Sequence, residues 1–267
     1  MVCAVGGGGG GACEEISTGY HDERREAGSL FLARPIRPRV SQPPVVVSVG
    51  GSVLAGEQVK APPIEAFAST LERIEAPLAI VVGGGAAART YISAARELGL
   101  DESGLDELGI QLTRANARLL VAAFGDQAYP KPAEDFDEAA TALRSYDRVC
   151  MGGTHPGHTT DAVAAMTAER LGAQRLVVVT NVDGVYTSDP KRDPDADRLD
   201  EISFSDLVGI TGAGREAGHS AVVDPLAAQI IQRSGIETRV VDGDDQANVA
   251  SAVDGVAFEG TTVVEAP

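Results

Sequence analysis

Short, unbroken apolar runs recur along this chain, each closed by glycine or polar residues and separated from the next by a helical-period segment. The runs are Val45–Val49, Leu78–Val82, Arg148–Met151, Arg175–Thr180, Thr238–Val241 and Thr261–Val264. Helical periods lie near Ile64–Ile74, Ala86 to Leu98, Leu108–Phe124, Asp135–Leu143, Asp161–Leu171 and Pro225–Ser234, with a last helix before the final run. A strand without polar alternation is covered on both faces, and strands joined through helices pair in parallel. The chain is therefore expected to build an α/β fold around a mostly parallel, covered sheet, with no internal repeat.

The pattern begins abruptly at Val45. Residues 1–44 hold a six-glycine tract, mixed charges and the proline-bearing RPIRPRVSQPP, with neither period, so they read as an unpacked N-terminal extension. The extension is either a start-site artefact or a functional tail, and residues 45–267 form the folded domain.

Charge removes whole classes of function. The formal net charge is −17 and lysine occurs only at Lys60, Lys131 and Lys191, which argues against a phosphate-backbone footprint and hence against nucleic acid as a partner. An acidic, lysine-poor surface suits a cytoplasm rich in salt, where screening removes self-repulsion, so a halophilic source is expected. Cys3, Cys13 and Cys150 are too few and scattered for a disulfide framework or a zinc site. No apolar run approaches a membrane span, and the N-terminus lacks the basic and leucine-rich regions of a signal peptide or lipidation signal.

Four loops carry the chemistry. Gly50-Gly51-Ser52 follows the first strand, where a glycine pair either lets backbone N–H groups approach an anion or simply turns the chain. Gly83-Gly84-Gly85-Ala86-Ala87-Ala88 satisfies G-x-G-x-x-A, but the acidic residues at the right distance, Asp101 and Glu102, follow a helix and not a strand. A phosphate cradle with Arg89 one turn into the helix is the better reading, an exposed helix-face arginine the plain one. Thr154 to Thr160 is rich in glycine and hydroxyls and enters a helix at Asp161, a position suited to phosphate. Thr180, Asn181, Asp183, Gly184, Tyr186 and Asp189 offer hydrogen-bonding and stacking groups suited to a nucleoside. Donor and acceptor pockets side by side above one sheet are the economical reading.

Single residues keep two readings at this stage. Asp106 either caps a helix or receives ribose hydroxyls. Asp224 precedes Pro225 as an N-cap would, and Asp161 sits at its own helix entrance. Capping explains both places, but not a carboxylate at the mouth of a phosphate loop unless it organises Mg²⁺ or donors there. His155 and His158 flank Pro156-Gly157 with no third ligand nearby, so no metal site is assigned to them. His219 reads as a loop histidine.

With Gly50-Gly51-Ser52, Gly83–Gly85, THPGHTTD, TNVDGVYTSDP and Val223-Asp224-Pro225 in this order, the chain resembles the archaeal uridylate kinases of the amino acid kinase fold family from about Val45 onward. The two longer motifs are specific in combination, whereas the glycine motifs alone are not. The resemblance implies an αβα sandwich with a central mostly parallel sheet, a cytoplasmic homohexamer, and transfer of the ATP γ-phosphoryl group to UMP with Mg²⁺ accompanying ATP. It also implies roles. Gly51, Ser52, Gly85, Arg89, Thr180, Asn181, Tyr186 and Asp189 would bind ATP. Gly84, Asp106, Thr154, His155, Pro156, Gly157, His158, Thr159 and Thr160 would bind UMP. Asp161, Asp224 and Arg89 would organise the transfer.

One departure stands out. Ser48 occupies the first-strand position where many members of the wider family carry a lysine, leaving Arg89, Mg²⁺ and, more weakly, Lys191 as sources of positive charge. Same-fold alternatives are a kinase acting on carbamate, a carboxylate or isopentenyl phosphate, and a non-catalytic nucleotide or oxyanion store. Against the isopentenyl phosphate reading, Ala86-Ala87-Ala88-Arg89 stands where those enzymes carry a histidine.

Overall fold

The computed structural model describes residues 42–55, 58–188, 193, 195–217 and 222–266. Residues 1–41 of the expected extension, Asp189, Lys191 and His219 lie outside the described residues. In chain order the elements are β1 (Val45–Val49), α1 (Gly51–Ala55), α2 (Ala61–Glu72), β2 (Leu78–Val82), α3 (Gly85–Glu97), α4 (Glu102–Phe124), a 3-10 turn at Gly125–Gln127, α5 (Phe136–Ala142), β3 (Arg148–Met151) and α6 (Thr160–Leu171). They continue with β4 (Arg175–Thr180), β5 (Val185–Tyr186), β6 (Arg198–Leu199), β7 (Glu201–Ser203), α7 (Phe204–Ala217), α8 (Pro225–Ser234), β8 (Thr238–Asp242), α9 (Gln246–Asp254) and β9 (Thr261–Val264).

Among the described residues these strands form a seven-stranded sheet ordered β3-β2-β1-β4-β8-β9-β7, while β5 and β6 pair separately. The five strands from β3 to β8 in that order are mutually parallel, and β9 runs antiparallel to β8. Alternation along β1 divides the core. Val46 packs with side chains of α5, α6, α7 and α8, whereas Val45, Val47 and Val49 pack with α2, α4 and α9. The result is the expected αβα sandwich. From β1 the chain moves outward through β2 and β3, then returns to β1's other side as β4, so the sheet has a switch point between β1 and β4. Ligands of such sheets bind beyond the carboxyl ends of the strands at that point.

Two expectations need correcting. Helix α4 starts at Glu102 and not near Leu108, because Asp101 caps it by accepting from the Gly104 amide at 2.8 Å. Asp106 therefore lies inside the helix and caps nothing. The other concerns α7, which the sequence reading lacked altogether.

Candidate active site

The turn after β1 and the turn after β2 pack backbone against backbone. A Cβ on Gly51 would stand 2.0 Å from the Gly85 amide nitrogen, so no side chain fits there. Gly85 itself has φ +65°, a left-handed conformation that favours glycine, and it opens α3 with that helix's unpaired N-terminal amides behind it. The Gly83 amide donates to Val49 and the Gly50 amide to Val179, each at 2.9 Å, which ties both turns to the carboxyl edge of the sheet.

Beside these turns lies a cavity of about 320 Å³. Its walls bring together Gly84, Gly85, Arg89, Asp106, His155, Gly157, His158, Thr159 and Thr160, all singled out from sequence. Arg89 thus stands, exposed on α3, with residues that the resemblance gives to UMP. Asp106 accepts from the Gly157 amide at 2.8 Å, which moors the loop between β3 and α6 to α4. Thr154 and Pro156 belong to that loop without lining the cavity. The Thr154 Oγ1 and His158 Nδ1 atoms are buried without a hydrogen-bond partner, as groups awaiting a polar ligand would be.

Thr159, and not Asp161, caps α6, accepting from the Ala162 amide at 3.2 Å. Asp161 is released for other contacts. Ser48 shares the β1 face of Val46 beneath α6 and is 1 % exposed, and its hydroxyl donates to Asp161 Oδ1 at 2.8 Å. Asp161 also accepts from the backbone N–H of Asp224. The Asp161 carboxyl is held above the usual carboxylate range because burial disfavours its charge, with the Ser48 hydrogen bond opposing and the nearby Asp224 charge adding to the rise. Asp224 caps α8, accepting from the amides of Leu226 at 2.8 Å and Ala227 at 3.2 Å. Capping is real at Asp224, and it does not preclude a second role for a carboxylate placed against another.

On the β4 side, Thr180 ends its strand with its carbonyl accepting from Gly243, next to the Gly50 turn. Ser52 and Asn181 are exposed. Tyr186 donates its hydroxyl to Asp183 Oδ1 at 2.6 Å, and Arg198 approaches the other Asp183 oxygen at 3.3 Å. Those bonds, that from Tyr186 foremost, hold the Asp183 carboxyl below its usual range, and the bond to Asp183 pushes the Tyr186 hydroxyl up.

Sequence reading missed the α4 residues that hold these loops. Asn116 Nδ2 donates to the Gly83 carbonyl at 2.8 Å and to the Gly84 carbonyl at 3.1 Å. Thr113 Oγ1 accepts from the Gly153 amide at 2.7 Å, and Arg114 Nε donates to the Gly153 carbonyl at 3.1 Å. A signal was present. Thr113 and Asn116 fall on the stripe of Leu105, Leu120 and Phe124, and a polar side chain on a buried stripe requires a partner.

Helix N-termini, glycine amides and a carboxylate pair gathered at one sheet edge suit the holding and aligning of anions, which is the work of a phosphotransferase. The profile of the amino acid kinase family matches residues 43–242, and the chain belongs to that family. Within it, the chain is 48% identical over 222 residues to the uridylate kinase of Pyrococcus abyssi, covering 82% of this chain and 98% of that protein. It is 49% identical over 224 residues to the uridylate kinase of Haloarcula marismortui, with the same coverage. The crystal structure of uridylate kinase from Archaeoglobus fulgidus superposes with a TM-score of 0.76 at 45% identity, covering 83% of this chain and 100% of that one.

Proposed function

We propose that this chain transfers the γ-phosphoryl group of ATP to UMP, giving ADP and UDP. The observation that carries the reading is the cavity beside the glycine turns. Its volume lies within the ~300–1,000 Å³ of small-ligand sites, and its walls unite Gly84, Arg89 and Asp106 with the hydroxyl-bearing loop. A phosphate belongs at the α3 and α6 N-termini, with the ribose near Asp106 and the uracil against the loop from Thr154 to Thr160. ATP belongs on the neighbouring side, over Gly51, Ser52, Gly85, Thr180, Asn181 and Tyr186, with Asp189 continuing that segment.

In the reaction, a UMP phosphate oxygen attacks the γ-phosphorus while the bond to the β–γ bridging oxygen breaks and ADP leaves. The attacking oxygen is already anionic near neutral pH, so no side chain need act as base or nucleophile. The chain supplies alignment and charge neutralisation. Arg89 offers a guanidinium fork between the two phosphoryl groups. Asp161 and Asp224 each accept two hydrogen bonds of the roughly four a carboxylate can take, so both keep capacity for a hard cation. The cation we assign is Mg²⁺, held there with ATP, where it would neutralise charge on the β- and γ-phosphates.

The test is ADP release in molar KCl with UMP, CMP, carbamate, glutamate and isopentenyl phosphate offered separately. UMP alone is expected to react fast. Faster release with another acceptor would reassign the substrate, and release with none would make the chain a nucleotide store.

We further propose a cytoplasmic homohexamer. Tyr91 of α3 and Leu98 at its C-terminal cap are 59% and 88% exposed, apolar surface that contacts between copies would cover. No described helix is long and apolar enough to cross a membrane.

A further inference from the structure

We infer that Asn116 and Thr113 are positioning residues that aim the backbone donors of both substrate loops, an inference that rests on the phosphotransfer reading above. Asn116 is 8% exposed and turns both its N–H groups onto consecutive peptide carbonyls, those of Gly83 and Gly84. A trans peptide holds its N–H opposite its C=O. Pinning those two carbonyls toward α4 therefore faces the amides of Gly84 and Gly85 the other way, and the Gly85 nitrogen abuts the Gly51 turn. Without Asn116, a glycine triplet has wide backbone freedom and its amides lose their fixed aim.

One turn earlier on the same helix face, Thr113 does the matching work for the other loop. Its hydroxyl donates to the Ile110 carbonyl at 2.6 Å and accepts from the Gly153 amide at 2.7 Å. Gly152 and Gly153 lie so close that a Cβ on either would come within 3.0 Å of α4 atoms. A single rigid helix thus sets the distance and orientation between the turn after β2 and the loop after β3. Neither side chain need touch a nucleotide. Preorganised donors act chiefly in the transition state, so misaiming them lowers kcat more than it weakens binding.

Steady-state kinetics of the full chain with ATP, Mg²⁺ and UMP in molar KCl test the inference through Asn116→Ala, Asn116→Asp, Thr113→Val and Thr113→Ser. Asn116→Ala and Thr113→Val should lower kcat about 100-fold while either KM moves less than about threefold. Thr113→Ser keeps the hydroxyl and should stay within about threefold of wild-type kcat. Asn116→Asp, nearly isosteric, faces two carbonyls with a carboxylate. Its kcat should be lowest at high pH and recover in acid relative to wild type, as the protonated carboxyl regains one donor. Unchanged kcat in Asn116→Ala and Thr113→Val would overturn the inference, as would KM effects with kcat intact, or losses matched by the unfolded fraction in circular dichroism. Wild-type turnover with UMP is the control on substrate. Should another acceptor serve, the same kcat comparison with that acceptor judges the two residues, so either idea can fail alone.

Discussion

Asp161 spends stability on its position. Burial and the neighbouring Asp224 charge outweigh its hydrogen bonds from Ser48 and the Asp224 amide, so its carboxyl titrates above the ordinary range. The sign follows from linkage. As pH rises past the ordinary carboxylate value the unfolded chain loses this proton first, so stability falls until the raised folded value is passed, and the penalty persists at neutral pH. Asp161→Asn removes that penalty and should raise stability at neutral pH by about 1 kcal/mol, about 2–4 °C in Tm. It should also lower kcat by about 10²–10³. The stability gain should fade as calorimetric scans move down through the carboxylate range, and a gain that grew in acid would refute this account of Asp161. At this scale the site was half legible. The motif residues are contiguous and so announce their loops, and the cavity unites nine of the named site residues, from the turn after β2 with α3, from α4 and from the loop after β3. Ser48, Thr113 and Asn116 have partners distant in sequence; Ser48 was marked only as a departure from the family's lysine, and Thr113 and Asn116 only by polarity on a buried stripe.

Among the elements, the strands were the most legible, because an unbroken apolar run has few other uses, and β1 to β4 match their expected bounds. Helices failed where glycine thinned the pattern. Gly104 and Gly109 hid the first turns of α4, Gly209 and Gly212 hid α7, and the two-residue strands β5 and β6 are too short for any period. Least legible was how α2 ends. Arg148, 2% exposed at the head of β3, donates to the carbonyls of Leu71 at 2.8 Å, Ala76 at 3.1 Å and Asp147 at 2.9 Å, and also to that of Ile74. A guanidinium there gathers carbonyls from the last turn of α2 and the turn that follows it, at the negative end of the helix dipole. Burial lowers its pKa, yet an arginine stays charged. Arg148→Met would keep the bulk and take this donor from the Ile74 and Ala76 carbonyls, at a cost of about 3 kcal/mol, read as a lower urea midpoint. Arg148→Lys should recover little, because one ammonium cannot replace the planar fork. The folded fraction should retain wild-type kcat, since Arg148 lies at the opposite end of β3 from the loop that enters the cavity. A midpoint unchanged in Arg148→Met would remove this explanation.

For the molecule as a whole, charge and chemistry pull apart. The catalytic reading asks the chain to gather two polyanions, yet the sequence carries a formal net charge of −17. Ion pairs lower the repulsion locally without changing that net charge. Arg175 and Arg239 share Glu237 at 2.7 and 2.8 Å where all three are largely shielded, whereas Arg233–Glu169 and Arg170–Asp137 are more exposed and contribute less. The surplus repulsion among surface carboxylates depends on salt, because the screening length shrinks from about 10 Å at 0.1 M to about 3 Å at 1 M. Salt should therefore act on the whole surface and scarcely on the buried pairing of Ser48 with Asp161. Circular dichroism and sedimentation velocity from about 2 M down to about 0.05 M KCl should show Tm falling steadily and any assembly dissociating before secondary structure is lost. Activity should fall with the assembly and return when KCl is restored. Neutralising a block of surface acids by Asp→Asn and Glu→Gln should shift the transition to lower salt. An activity and Tm indifferent to KCl over that range would show that the acidic surface is not a device for salt, and the expected halophilic source would fall with it.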